Sequence, residues 1–116
     1  MAMRGGGLLA AAARASLVQV RQLLPLAARL GVTVLTGTDE LPHGSLASEV
    51  ATLHRDGLPV PAALAAASTA ARTYLGLPAW ESGAPADFVT FDGDPRENLD
   101  GLARPAAVVA GGRRVR

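Results

Sequence analysis

Between Ser16 and Leu30 the apolar residues Leu17, Val20, Leu23, Leu24, Ala27, Ala28 and Leu30 recur at steps of three and four, the spacing that gathers side chains on one face of a helix. Ser16 offers an N-cap oxygen and Gly31 a C-terminal stop. Pro25 disturbs the run, because an interior proline costs about 3 kcal/mol. The pattern therefore predicts a kink there, or a restart with Pro25 in a new first turn. Directly afterwards Val32-Thr33-Val34-Leu35-Thr36 is short, β-branched and apolar on both alternate sets, the pattern of a strand covered on both faces as in a parallel sheet. It runs into Gly37-Thr38-Asp39-Glu40, and in parallel α/β folds the loops that follow strands are where ligands bind.

The periodicity then returns to helix. Leu46, Val50 and Leu53 predict a helix over 45–56 with Gly57 as its stop, and the Ala-rich run 61–75 predicts another, stopped by Gly76. Pro78, Gly83 and Pro85 make 77–86 an irregular connector, after which the chain changes character. Asp87-Phe88-Val89-Thr90-Phe91 reads as a strand and Asp92-Gly93-Asp94-Pro95 as a turn. Residues 106–110 and 113–116 flank Gly111-Gly112, the signal for a two-residue hairpin turn with positive φ. A boundary near residue 76 follows, with a helix, a buried strand and two helices in 1–76 and a small antiparallel β piece in 77–116.

Composition narrows the chemistry. The chain has 116 residues, about one domain. It is 49% hydrophobic, but mostly Ala, Leu and Val, with aromatic rings only at Tyr74, Trp80, Phe88 and Phe91, so a core built from it alone is thin. The net charge is +1 and the arginines are scattered apart from the Arg113-Arg114-Val115-Arg116 end, which argues against nucleic acid as a partner. Absence of Cys leaves only nitrogen and oxygen ligands for any metal. No stretch approaches the roughly 20 apolar residues of a membrane span, so a cytoplasmic protein with no membrane partner is expected. The run Leu8 to Ala13 is interrupted by Arg14 at about half the length of a signal-peptide core, and a frayed Gly-rich leader is expected over 1–15 instead.

Among polar residues Asp39 leads, since a carboxylate at the end of a buried strand can bind a divalent cation and accept a proton from water. By spacing alone an Asp in Gly-Thr-Asp-Glu is more often an Asx turn or helix cap. His43, four residues on in Leu41-Pro42-His43-Gly44, could ligate a metal or contact substrate, although a single loop His commonly does neither. Glu49 falls one turn after Ser45, where the helix dipole alone accounts for an acid. His54 lies mid-helix beside Arg55 and Asp56 and reads as a solvated surface residue. Ser68 and Thr69 lack a nearby base, and Gly5-Gly6-Gly7 lacks the Lys and spacing of a phosphate loop.

Five segments in order resemble the metal-dependent amidohydrolase superfamily, in particular its imidazolonepropionase-like and prolidase-like members. They are Gly31-Val32-Thr33-Val34-Leu35-Thr36-Gly37-Thr38-Asp39, Pro42-His43-Gly44 with Glu49, and Ala66-Ala67-Ser68-Thr69-Ala70-Ala71-Arg72 ending in Leu75-Gly76-Leu77. Gly83-Ala84-Pro85-Ala86-Asp87-Phe88-Val89 with Asp92-Gly93-Asp94-Pro95 follows, and Ala107-Val108-Val109-Ala110-Gly111-Gly112-Arg113 closes the set. The resemblance implies an α/β fold: 1–76 as the C-terminal end of a (β/α)8 barrel, with Val32 to Thr36 as its eighth strand, and 77–116 as C-terminal strands of a small β-sandwich. It implies that Asp39 binds the metal, zinc above all, and takes a proton from the attacking water, and that His43 contacts substrate. The activity implied is hydrolysis of carbon–nitrogen bonds in small amide, lactam or dipeptide-like substrates.

The strands that carry the family's His-x-His pair, its central Lys or Glu and its later His ligands have no counterpart in this sequence. The expectation is therefore a C-terminal part, inactive and metal-free alone, whose partner is the missing N-terminal barrel portion or another copy of itself. The alternative is a non-catalytic module derived from the family that self-associates or binds a partner. The connector 77–83 is also shorter than the family's usual stretch at that point.

Overall fold

The structure, a computed structural model, describes residues 5–39 and 44–116. Helix α1, Gly5–Arg29, begins well before Ser16. The upstream Leu8 to Ala13 run is strongly helix-forming, and it carries the helix straight through the expected cap. Ser16 instead turns its hydroxyl back to the Ala12 carbonyl at 3.0 Å. The helix closes with paired bonds from Gly31 N–H to the Ala28 carbonyl (3.3 Å) and from Val32 N–H to the Ala27 carbonyl (2.9 Å).

Helix α2, Leu46–Arg55, starts where predicted: Ser45 is its N-cap and accepts from Ser48 N–H at 3.3 Å. It ends in the same paired closure, Gly57 N–H to the His54 carbonyl and Leu58 N–H to the Leu53 carbonyl, both 3.0 Å. The predicted single helix over 61–75 is two, α3 (Val60–Ala66) and α4 (Thr69–Tyr74). The break falls at Ser68, whose hydroxyl bonds the Leu64 carbonyl at 2.7 Å and whose backbone leaves the helical region at φ −142°, ψ −99°. A hydroxyl that competes for a backbone carbonyl is the reason serine weakens helix interiors.

The β piece is a three-stranded antiparallel sheet in the order β1 (Phe88–Thr90), β2 (Ala107–Ala110), β3 (Arg113–Arg114), with Val89 opposite Val108 and Ala110 opposite Arg113. Gly111 and Gly112 have φ of 56° and 78°, the pair of positive values a primed hairpin turn requires. Asp87 anchors this turn by accepting from Gly111 N–H at 2.6 Å, and its other oxygen lies 3.7 Å from Arg72 of α4. In the turn after β1, Arg96 donates to both oxygens of Asp94, holding that carboxyl below its ordinary pKa. This bracing is present above the usual carboxylate range and weakens as pH falls through the lowered value.

The core sits at the α2–α3 junction: Val50 and Leu58, each 2% exposed, with Ala63 and Ala66. Leu24, Val34, Leu53, Leu99 and Leu102 pack around it. Burial of Val50 and Leu58 is worth about 1.5–3 kcal/mol each, a modest total for a chain this long. Helix α1 joins this body at one place. Pro25 has no N–H for the Arg21 carbonyl, and its ring lies over Gly57, where an added Cβ would sit 2.6 Å from Pro25 Cγ. Beside it Arg21 Nε donates to Asp56 at 3.0 Å, and Arg55 approaches the same buried carboxylate at 3.6 Å.

Val32 to Thr38 is extended but belongs to no sheet among the described residues. A parallel strand is completed by neighbours on its edges, and here the backbone ties come instead from Thr36, whose N–H and hydroxyl both reach the Ala66 carbonyl at 3.2 and 3.4 Å. Gly57→Ala should lower stability by about 1–3 kcal/mol, through the clash with Pro25 and a φ of +117°. Gly37→Ala, with open space around it, should stay within about 0.5 kcal/mol. Urea titration of the two variants checks this, and equal midpoints would mean that the Pro25–Gly57 contact does not hold α1.

Candidate functional site

Asp39 terminates the extended segment, beyond the Thr36 tie to α3 and one residue past the half-buried Thr38. Its side chain is exposed, and its φ is +43°, the one positive value at a non-glycine position among the described residues. Aspartate tolerates this left-handed region better than most residues because its short carboxylate can bond locally. Strain of this kind persists where surrounding structure over-determines the backbone, and it aims the carboxylate away from the direction an extended residue would give.

His43, the predicted substrate contact, lies outside the described residues, as does Glu40. Glu49 is half-buried in the first turn of α2, with its N–H bonded to the Ser45 carbonyl at 3.2 Å. His54 is exposed, and its Nδ1 lies 2.8 Å from the Leu58 carbonyl. That pairing needs the tautomer with the proton on Nδ1 and helps close the end of α2. It gives His54 a structural task that helical periodicity alone did not reveal.

No three of the described His, Asp and Glu residues converge into a group that could hold a metal ion. A catalytic zinc takes three protein ligands, so the described residues on their own do not fit one, and Asp39 supplies a single carboxylate. No chemical step through a metal follows from these residues alone.

A larger feature has no residue of the Asp39 segment in its walls. Helices α2 and α4, the connector and the sheet enclose an open groove of about 1150 Å3, with Val50, Leu64, Trp80, Phe88, Leu102 and Val108 among its walls. Trp80 meets Phe88 edge to face at 6.0 Å, the arrangement aromatic quadrupoles favour. Arg72 and Asp87 stand on the groove wall, and Arg72 Nε also bonds the Pro78 carbonyl at 2.6 Å. Sequence reasoning missed this pair as a unit, although each residue lies within a segment of the family resemblance; 15 residues separate them, and no local periodicity links them.

Residues 7–115 match the model of the amidohydrolase family. The chain belongs to that family, whose members generally bind divalent metals. It is also similar to uncharacterized proteins of Mycobacterium tuberculosis and Mycobacterium bovis, 41% identical over 86 residues, a stretch that is 72% of this chain and 23% of each relative. The chain thus spans less than a quarter of the length of these curated relatives. Among the described residues no helix is long and apolar enough to cross a membrane.

The strain at Asp39 is testable without any activity. Asp39→Gly should leave stability unchanged or raise it slightly, while Asp39→Val should lower it by about 1–3 kcal/mol, because a β-branched side chain fits poorly at positive φ. Thermal unfolding of both variants measures the difference, and a Val variant as stable as the Gly variant would show that the backbone is not held in that region.

Proposed function

We propose that this chain is the C-terminal part of a metal-dependent amidohydrolase that hydrolyses carbon–nitrogen bonds in small amide, lactam or dipeptide-like substrates in the cytoplasm, of the imidazolonepropionase-like or prolidase-like kind. The observation that carries the reading is the exposed carboxylate of Asp39, on a left-handed backbone at the end of an apolar segment in a chain that belongs to this family. Asp39 is one ligand of a divalent metal, zinc first among candidates, whose other ligands come from residues outside this chain. As general base it accepts the proton of the attacking water, and His43 contacts the substrate.

In this reading residues 1–76 are the end of a (β/α)8 barrel, with Val32 to Thr36 as its last strand, and 77–116 are strands of a β-sandwich. The lack of a strand partner for this segment among the described residues supports it, since backbone N–H and C=O groups of an apolar run call for neighbouring strands. So does the share of the relatives' length that the match leaves uncovered. The other reading is a non-catalytic module that self-associates or binds a partner, favoured by the exposed apolar residues Leu8, Leu9, Leu17 and Leu23 of α1.

The two readings part on Asp39. When the chain is combined with the N-terminal portion of a longer relative, Asp39→Asn keeps the shape but removes the base and the negative charge, so turnover should fall by about 10²- to 10⁴-fold. His43→Ala should raise KM more than it lowers kcat if the residue only contacts substrate. The 116-residue chain alone should turn over none of these substrates. Near-normal turnover of Asp39→Asn in the assembly would leave Asp39 as a turn residue and favour the non-catalytic module.

A further inference from the structure

The connector between α4 and β1 contains no helix or strand, yet one residue holds both of its ends. At the start, the Arg72 carbonyl accepts from Leu77 N–H at 2.9 Å, and Arg72 Nε donates to the Pro78 carbonyl at 2.6 Å. At the far end the same guanidinium lies 3.7 Å from the Asp87 carboxylate. Arginine suits this position, because its planar fork offers several donors in fixed directions. Residues 78–87 therefore form a loop whose ends meet on Arg72, the arrangement of an Ω-loop. Within it Gly83, at φ +88°, turns the chain, and Ala84 N–H donates to the Glu81 carbonyl at 3.2 Å.

The far end of this loop is joined to the sheet. Asp87 Oδ1 accepts from Gly111 N–H at 2.6 Å, the Ala86 carbonyl accepts from Gly112 N–H at 3.0 Å, and Trp80 meets Phe88 of β1 edge to face. Two attachments connect the loop and sheet to the helices. One is apolar: the short helical turn Leu99–Ala103 packs on α2, with Leu99 and Leu102 against the core. The other is Arg72, the one residue of α4 whose polar atoms reach past Gly76 among the described residues. Apolar packing is non-directional and lets a body pivot, whereas a guanidinium bonded at two points sets an angle.

We propose that Arg72 is a clip that fixes the angle between the sheet and α4, and that its release lets loop and sheet pivot together about the Leu99–Ala103 contact, widening the groove between them and the helices. The clip opens at Asp87 first. Its Pro78 end is a short hydrogen bond, whereas its Asp87 end is a longer, partly exposed ion pair, the kind that solvent weakens most. This device goes beyond the proposed function, and it depends neither on Asp39 nor on a metal.

The chain has no Cys, so spin labels on Tyr74→Cys in α4 and Ser82→Cys in the loop, both exposed positions, report the angle. Their distance distribution should be narrow in the parent. With Asp87→Asn it should broaden and lengthen by more than about 2 Å, the scale of a loop rearrangement, because the amide oxygen still accepts from Gly111 N–H while the charge facing Arg72 is gone. Arg72→Met should do at least as much, and adding Asp87→Asn to it should change nothing further, since the two residues act through one contact. A second pair, Ser48→Cys with Tyr74→Cys, lies wholly on helices and should keep its distribution in every variant. An unchanged Tyr74–Ser82 distribution in Arg72→Met would overturn the clip. So would additive effects of the two substitutions, or broadening of both label pairs together, which would make Arg72 a general support of the fold.

Discussion

The contact between Pro25 and Gly57 decides how the pieces of this chain are arranged. A proline inside a helix leaves the carbonyl one turn earlier, on Arg21, without its helical donor. Here that side of α1 is laid against a residue with no side chain, at the closure of α2. The Arg21–Asp56 ion pair sits next to it and satisfies a carboxylate that is only 6% exposed. A buried carboxylate without such partners would be costly, so the ion pair makes this docking position specific as well as close. From there Leu24 reaches the small core around Val50 and Leu58, and the end of α1 sets where the extended segment toward Asp39 begins.

That core explains why the rest of the molecule is open. The largest fully buried side chain is Val50, and alanines fill much of the remaining interior. Alanine brings helices close together but removes little apolar area from water. The larger apolar side chains, Leu9, Leu23, Leu30, Leu75 and Trp80 among them, are on the surface instead. Exposed apolar groups gathered on a helix or around an open groove mark surfaces that other polypeptide or a ligand covers. The chain therefore concentrates its specificity at caps, turns and ion pairs rather than in a large packed interior.

What could be read in the sequence follows the same division. Local rules located α2 through Ser45 and Gly57, and the hairpin through Gly111-Gly112, because caps and two-residue turns depend on residues within a few positions of each other. The helix over 61–75 was misjudged at Ser68, where one hydroxyl outcompeted a long alanine-rich run, and α1 was begun too late because Ser16 looked like a cap in the middle of strong helix formers. The Arg72–Asp87 link and the Pro25–Gly57 wedge span 15 and 32 positions, and no periodicity encodes them. At the candidate site, Asp39 was legible from its place after an apolar run, but its left-handed backbone was not, since Gly-Thr-Asp-Glu is compatible with several turn geometries.

The left-handed backbone at Asp39 bears on how a single carboxylate can be useful in a family of metal-binding hydrolases. A flexible acid would have to be ordered each time it met a cation or a water, and that ordering offsets part of any gain. Thr36 fixes the preceding segment to the end of α3 through two bonds to one carbonyl, so Asp39 follows three residues beyond an anchored point. Among the described residues no hydrogen bond engages its side-chain oxygens, and a carboxylate oxygen can accept from a water or bind a cation when the remaining ligands are brought to it. Under the proposed function the thin core, the segment without a strand partner among the described residues and the left-handed backbone at Asp39 belong together: the chain supplies one carboxylate, and completion of the site is left to neighbouring polypeptide.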